Sequence, residues 1–172
     1  MVLSGICLKQ IAGQQIKKGT EMKKFSKEIL WSFIVGIMGG ALILFQALGG
    51  NLANKTIIDF FVITMIIPAV VLIICGLIIG RKNTLAKILP YFLIVTGIVF
   101  GATLFSMIHI YESGAILDML ANTKTSENIV LEINDSITFG TVMQQALVCI
   151  VCAWLGTMLG KKIDGILSKV RN

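Results

Sequence analysis

Residues 60–80 read FFVITMIIPAVVLIICGLIIG, an apolar stretch that contains no charged side chain. Asp59 precedes the stretch, and Arg81 and Lys82 follow it. The stretch lacks the alternation of apolar and polar residues that is typical of a half-buried strand. Its length matches the roughly 20 helical residues that cross the hydrocarbon core of a bilayer, where the backbone must satisfy its own hydrogen bonds. It therefore predicts a membrane-spanning helix.

Three further stretches have the same character and lie at residues 29–49, 88–110 and 141–160. The four together predict an all-α fold, a polytopic membrane protein built as a four-helix transmembrane bundle over residues 29–162. A β-barrel would instead show alternating segments of about ten residues. In composition, 56% of the 172 residues are apolar and 14% are charged, whereas soluble domains contain about 45–50% and about 25%. This difference excludes an ordinary soluble domain, a disordered chain and a coiled coil.

The basic residues predict the orientation of the bundle. Of the 15 Lys and Arg residues, only Lys55 and Lys124 fall between spans one and two or between spans three and four. The others flank the opposite ends of the spans, and the positive-inside rule places those ends in the cytoplasm. We therefore expect a protein of the cytoplasmic membrane with both termini in the cytoplasm (N-in/C-in). The net charge of +6 belongs to these flanks, so the expected partner is the lipid bilayer and not nucleic acid.

The terminal segments and one connection lie outside the spans. Residues 1–28 lack the basic region ahead of an apolar core that marks a signal peptide, and they are predicted to be a basic cytoplasmic segment. Within them, a lysine-rich run favours Met22 over Met1 as the start of translation. Residues 163–172 are expected to form a basic cytoplasmic tail. The connection at 111–140 is predicted to be external, and its length is typical of a functional or disordered loop.

Two parts of the external connection have local structural signals. The residues Ala115–Ala121 predict a short helix. Ile129–Ile133 favours a strand but has no obvious partner strand.

Each span contains a pair of glycines four residues apart. Such a pair places two residues without side chains on one helix face, which lets two helix backbones approach closely. We expect these glycines to be helix-packing positions, although glycine is also generally frequent in membrane helices. The pairs are Gly36/Gly40, Gly76/Gly80, Gly97/Gly101 and Gly156/Gly160.

Polar side chains gather near the predicted outer ends of the spans and form a candidate outer polar cluster. His109 and Glu112 share a helix face, so a pH-sensitive contact is one interpretation and ordinary interfacial polarity is the other. The cluster consists of Gln46, Asp59, His109, Glu112, Gln144 and Gln145.

Pro68 in span two has no N–H and therefore deprives a backbone carbonyl of its usual donor.

The sequence contains no catalytic, nucleotide-binding or metal-binding motif, so we expect neither enzymatic activity nor a cofactor. Cys149 and Cys152 have the spacing of a redox motif but lie inside span four, where desolvation disfavours a thiolate. We interpret them as packing residues. Neither predicted outer loop contains a cysteine, so no structural disulfide is expected.

Three functions are compatible with these features. The first is a non-enzymatic accessory or regulatory subunit of a membrane complex for transport, secretion or immunity, with other membrane subunits or a second copy as partner. The second is a small oligomeric transporter or channel, although no span contains the carboxylate, Lys or Arg that ion-coupled transporters use. The third is a membrane thiol oxidoreductase, because chain length, span number and the four cysteines resemble those of the membrane thiol oxidases that reoxidise periplasmic disulfide catalysts.

Overall fold

The computed structural model describes residues 27–49, 52–81, 85–123 and 137–170. All regular structure in these residues is helical, as predicted, and no strand occurs among them. Four of the helices are long and apolar enough to span a membrane. The predictions for residues 1–26, including the start at Met22, and for Ile129–Ile133 lie outside the described residues.

In the described ranges, five helices follow one another, and a short 3-10 turn at Leu52–Asn54 joins the first two. Each of the four predicted spans falls almost wholly within one long helix. The last helix continues past Gly160 through most of the segment that we expected to be a separate tail. The helices are α1 (Lys27–Leu48), α2 (Ile57–Gly80), α3 (Leu85–Glu112), α4 (Ala115–Asn122) and α5 (Phe139–Val170).

The long helices present large apolar side chains outward. Met38 on α1 is 67% exposed, and Ile58 on α2 and Leu147 on α5 are similarly exposed. Contiguous apolar surface of this extent is unfavourable in water and favourable against hydrocarbon. The outward faces are therefore those expected of helices that contact lipid.

The core of the bundle lies between α2, α3 and α5, and α1 also contributes to it. Leu72 and Val99 are fully buried there, against Cys149 and Ala153. A second buried cluster lies where α1 and α3 end and α2 begins. We refer to that part of the molecule as the α4 end, because Ile116 and Met119 of α4 pack into the second cluster.

The short helix predicted at Ala115–Ala121 is confirmed as α4 (Ala115–Asn122). Gly114, with φ +71°, turns the chain from α3 into α4 in a conformation that side-chain-bearing residues rarely adopt. Two hydrogen bonds attach the far end of α4 to the α1–α2 connection. The Ile57 N–H donates to Thr123 Oγ1 at 2.9 Å, and Asn122 Nδ2 donates to the Lys55 carbonyl at 3.1 Å. The helix therefore covers the α4 end of the bundle.

Candidate functional site

The glycine pairs of α2 and α5 lie against each other. A Cβ added to Gly76 would collide with the Ala153 carbonyl oxygen, and one added to Gly156 would collide with the Ile73 carbonyl oxygen. A Cβ on Gly160 would lie 2.5 Å from the Leu77 carbonyl oxygen. These neighbours are backbone atoms, which cannot rotate away. We refer to the contact formed by Gly76, Gly80, Gly156 and Gly160 as the α2–α5 seam.

The glycine pair of α1 faces α3. A Cβ on Gly36 would lie 2.9 Å from Val95 Cγ1, and one on Gly40 would lie 3.5 Å from the Ala102 Cβ. Gly39 is equally close-packed, because a Cβ there would collide with the Val71 side chain. Sequence reasoning missed Gly39, since it has no glycine four residues away to mark it.

The glycine pair of α3 has a different environment. A Cβ on Gly97 or Gly101 would meet no atom of the described residues within 4 Å. Leu93 and Phe105 lie one turn before and after the pair and are 56% and 55% exposed. Residues four apart share a helix face, so these four form one outward stripe, the open α3 face (Leu93, Gly97, Gly101 and Phe105).

Two members of the candidate polar cluster hold the α1–α2 connection. Lys55 Nζ donates to the Gln46 backbone carbonyl and lies 3.4 Å from its side-chain oxygen. The Asp59 carboxylate accepts the Thr56 backbone N–H at 2.8 Å and the Thr56 hydroxyl at 2.9 Å. This arrangement caps the first turn of α2. Gln46 and Asp59 thus take part in local contacts at the start of α2.

Gln145 makes a polar contact between α5 and α2. Its side chain is 3% exposed, and its Nε2 donates to the Thr64 carbonyl at 2.6 Å. In a regular α-helix the N–H of residue 68 would bond to this carbonyl, but Pro68 has none. Residues Val62–Ile66 just before the proline are π-helical. An amide of α5 therefore supplies the hydrogen bond that the proline of α2 cannot make.

Gln144 and Gln145 both line a half-open cleft of about 390 Å³ at the α4 end. Helices α2, α3, α4 and α5 all contribute to its walls. None of its lining residues carries a charge. Of the other members of the candidate cluster, none lines the cleft: His109 is half-buried and Glu112 exposed near the end of α3. The lining residues are Ile57, Phe60, Phe61, Thr64, Met65, Met107, Tyr111, Ile116, Thr141, Gln144 and Gln145.

The cysteines of the described residues lie in the helices. Cys75 and Cys149 are buried and Cys152 is half-buried. Cys75 joins α2 to α1, because the Ser32 hydroxyl donates to the Cys75 carbonyl at 3.4 Å. Cys149 packs in the core, in keeping with its interpretation as a packing residue. In the described part of the chain, no three His, Cys, Asp or Glu side chains lie close enough together to hold a metal ion.

Comparison with protein-family models, curated proteins and solved structures finds no match to this chain. The described residues offer two close helix contacts through glycine pairs, one open helix face and one uncharged cleft.

Proposed function

We propose that this protein is a multi-pass membrane protein that acts, without enzymatic activity of its own, as an accessory or regulatory subunit of a membrane complex. The observation that carries the proposal is the open α3 face. The glycine pairs of the other three long helices lie against neighbouring helices of the same chain. The Gly97/Gly101 pair forms the same kind of surface, one that another helix can approach closely, but this surface faces outward.

The physical argument concerns how helices associate in lipid. Lipid chains are as apolar as leucine, so association depends on close packing and not on the hydrophobic effect. A groove of two glycines between Leu93 and Phe105 gives a neighbouring helix a short approach distance and two flanking ridges. The partner is another membrane subunit or a second copy of this chain, and the complex serves transport, secretion or immunity.

Affinity purification in mild detergent tests the proposal. The wild-type protein is expected to co-purify with a stoichiometric membrane partner or with a second copy of itself. Gly97→Leu combined with Gly101→Leu is expected to reduce the recovered partner about tenfold or more, which corresponds to roughly 1.4 kcal/mol of association free energy.

Gly165→Leu is the matched control, because Gly165 also lies in a helix, and an added Cβ there has no neighbour within 4 Å among the residues that the structure describes. It lies beyond the predicted end of span four and should leave partner recovery unchanged. A wild-type protein that purifies as a clean monomer, or a double variant that retains its partner, would contradict the proposal.

The orientation in the membrane is part of the same proposal. The distribution of Lys and Arg supports a cytoplasmic location for both termini and an external location for α4. Topology reporters inserted after Lys82 and after Lys124 test it. The reporter at Lys82 should be shielded from the exterior and the reporter at Lys124 should be accessible there, and the reverse result would overturn the orientation.

A small oligomeric transporter or channel is the second candidate. It is supported by the π-helical segment Val62–Ile66, which precedes Pro68 and contributes residues to the wall of the cleft. Irregular backbone at membrane depth is tolerated where it is buried in protein or lines a cavity. Flux of ions and small neutral solutes into liposomes tests this candidate. Flux that Gln145→Leu abolishes would support it, and the absence of flux for all solutes would count against it.

A further inference from the structure

The cleft at the α4 end contains hydrogen-bonding groups that have no partner in the described residues. The Tyr111 hydroxyl and the Gln144 amide both border it and make no hydrogen bond within that part of the chain. Thr64 and Gln145 are already bonded to each other. The Tyr111 ring is held by an edge-to-face contact with Phe60, with centroids 6.1 Å apart. Within the described residues the cleft therefore presents two donors without a partner, and the ring of one of them is held in place.

The two donors of the cleft lie near helix ends. Tyr111 is the second-last residue of α3, and Gln144 lies about 8 Å along α5 from its first residue at 1.5 Å per residue. Met65 lies about 12 Å along α2 from Ile57 and also lines the cleft. Tyr111 and Gln144 are thus near helix ends, where the headgroup layer would meet hydrocarbon, and Met65 lies further from the end of its helix.

We infer that this cleft binds the acyl-ester portion of one membrane lipid. Its ester carbonyl accepts hydrogen bonds from Tyr111 and Gln144, and its acyl chain lies along Phe61 and Met65. The inference rests on the membrane embedding proposed above. Phe61 is 47% exposed and Gln144 is also exposed, so the cleft opens sideways on the outward surface that lipid would contact.

The size and charge of the cleft argue against other occupants. An ion would gain no opposite charge from the lining residues, and its desolvation would be uncompensated. A partner helix is about 10–12 Å across and does not fit a cleft of about 390 Å³. This volume is within the range of about 300–1,000 Å³ that is typical of sites for small ligands.

Photocrosslinking with two lipids tests the inference. The full-length protein is reconstituted into nanodiscs with trace amounts of a diester phosphatidylcholine that carries a diazirine in one acyl chain. A parallel sample contains the diether analogue, which lacks both carbonyls. Mass spectrometry should find the diester probe on peptides that contain Met65 or Met107 at least fivefold above the diether probe. Equal labelling of these peptides by the two probes would overturn the inference.

Two variants separate binding from nonspecific contact. Met65→Trp fills the cleft and should reduce diester labelling of the Met107 peptide at least fivefold. Met143→Trp is the matched control, because Met143 is exposed on α5 outside the cleft, and it should leave labelling unchanged. Tyr111→Phe with Gln144→Leu should make diester and diether labelling equal. Labelling that none of the cleft variants changes would overturn the inference.

Failure of the inference and failure of membrane embedding give different results. If the chain is embedded, both probes label outward residues such as Leu42 and Leu147 whether or not the cleft binds lipid. Absence of this general labelling would contradict the embedding itself. General labelling without diester preference in the cleft would contradict the lipid site alone.

Discussion

The α2–α5 seam and the open α3 face contain the same sequence motif in opposite environments. In the seam, an added Cβ on Gly76 or Gly156 would collide with backbone of the facing helix. On α3, an added Cβ on Gly97 or Gly101 would meet nothing within 4 Å in the described part of the chain. The spacing of two glycines thus indicates that a helix can be approached closely. The residues on the neighbouring helices determine whether a helix of the same chain packs against the glycine pair or the pair stays open to another molecule.

The largest effect is expected in the seam. Gly76→Leu should lower the free energy of unfolding by about 3 kcal/mol, because the new side chain overpacks a contact between two backbones. Unfolding in mixed micelles of increasing SDS content measures the change. An unchanged free energy of unfolding would show that α2 and α5 are not in close contact in the folded protein.

The second-largest loss of stability is expected at the hydrogen bond between Gln145 of α5 and the Thr64 carbonyl of α2. Gln145→Leu leaves the Thr64 carbonyl without its side-chain donor, and a buried unsatisfied carbonyl costs about 1–3 kcal/mol. Gln144→Leu is the matched control, since Gln144 is exposed at the neighbouring position, and it should change the free energy of unfolding by less than about 0.5 kcal/mol. Equal losses for the two variants would contradict the Gln145–Thr64 bond.

A smaller and more local effect is expected where α4 attaches to the bundle. Thr123→Val removes the acceptor for the Ile57 N–H and should cost about 1 kcal/mol. Amide hydrogen exchange over Ala115–Asn122 should become about fivefold faster. Thr123→Ser retains the hydroxyl and should exchange at the wild-type rate. Wild-type exchange in Thr123→Val would show that this hydrogen bond does not hold α4.

The smallest effect on stability is expected on the open α3 face. Gly101→Leu should leave the free energy of unfolding of the isolated protein within about 0.5 kcal/mol of wild type, because an added Cβ at this position has no neighbour within 4 Å among the described residues. The same SDS titration measures it. A decrease in the free energy of unfolding as large as that of Gly76→Leu would mean that this face of α3 packs against the other helices of the chain.

The four long helices could be predicted because an uninterrupted apolar stretch of about 20 residues by itself indicates a membrane-spanning helix. The helical cap at Asp59 was not predicted, although Thr56 and Asp59 have the spacing of a capping box. The pairing of Gln145 with Thr64 joins residues 81 positions apart, and local sequence contains no information on which helices meet. For the same reason the glycine pairs of α2 and α3 could not be distinguished before their neighbours were known.

Site-specific photocrosslinking in intact membranes tests the central claim most directly. A photoreactive amino acid is placed at Phe105 on the open α3 face or, as a control, at Leu147, which is equally outward-facing on α5. We predict a discrete protein adduct from position 105 and lipid adducts alone from position 147. Lipid adducts alone from both positions would contradict the claim that the open α3 face binds a membrane partner.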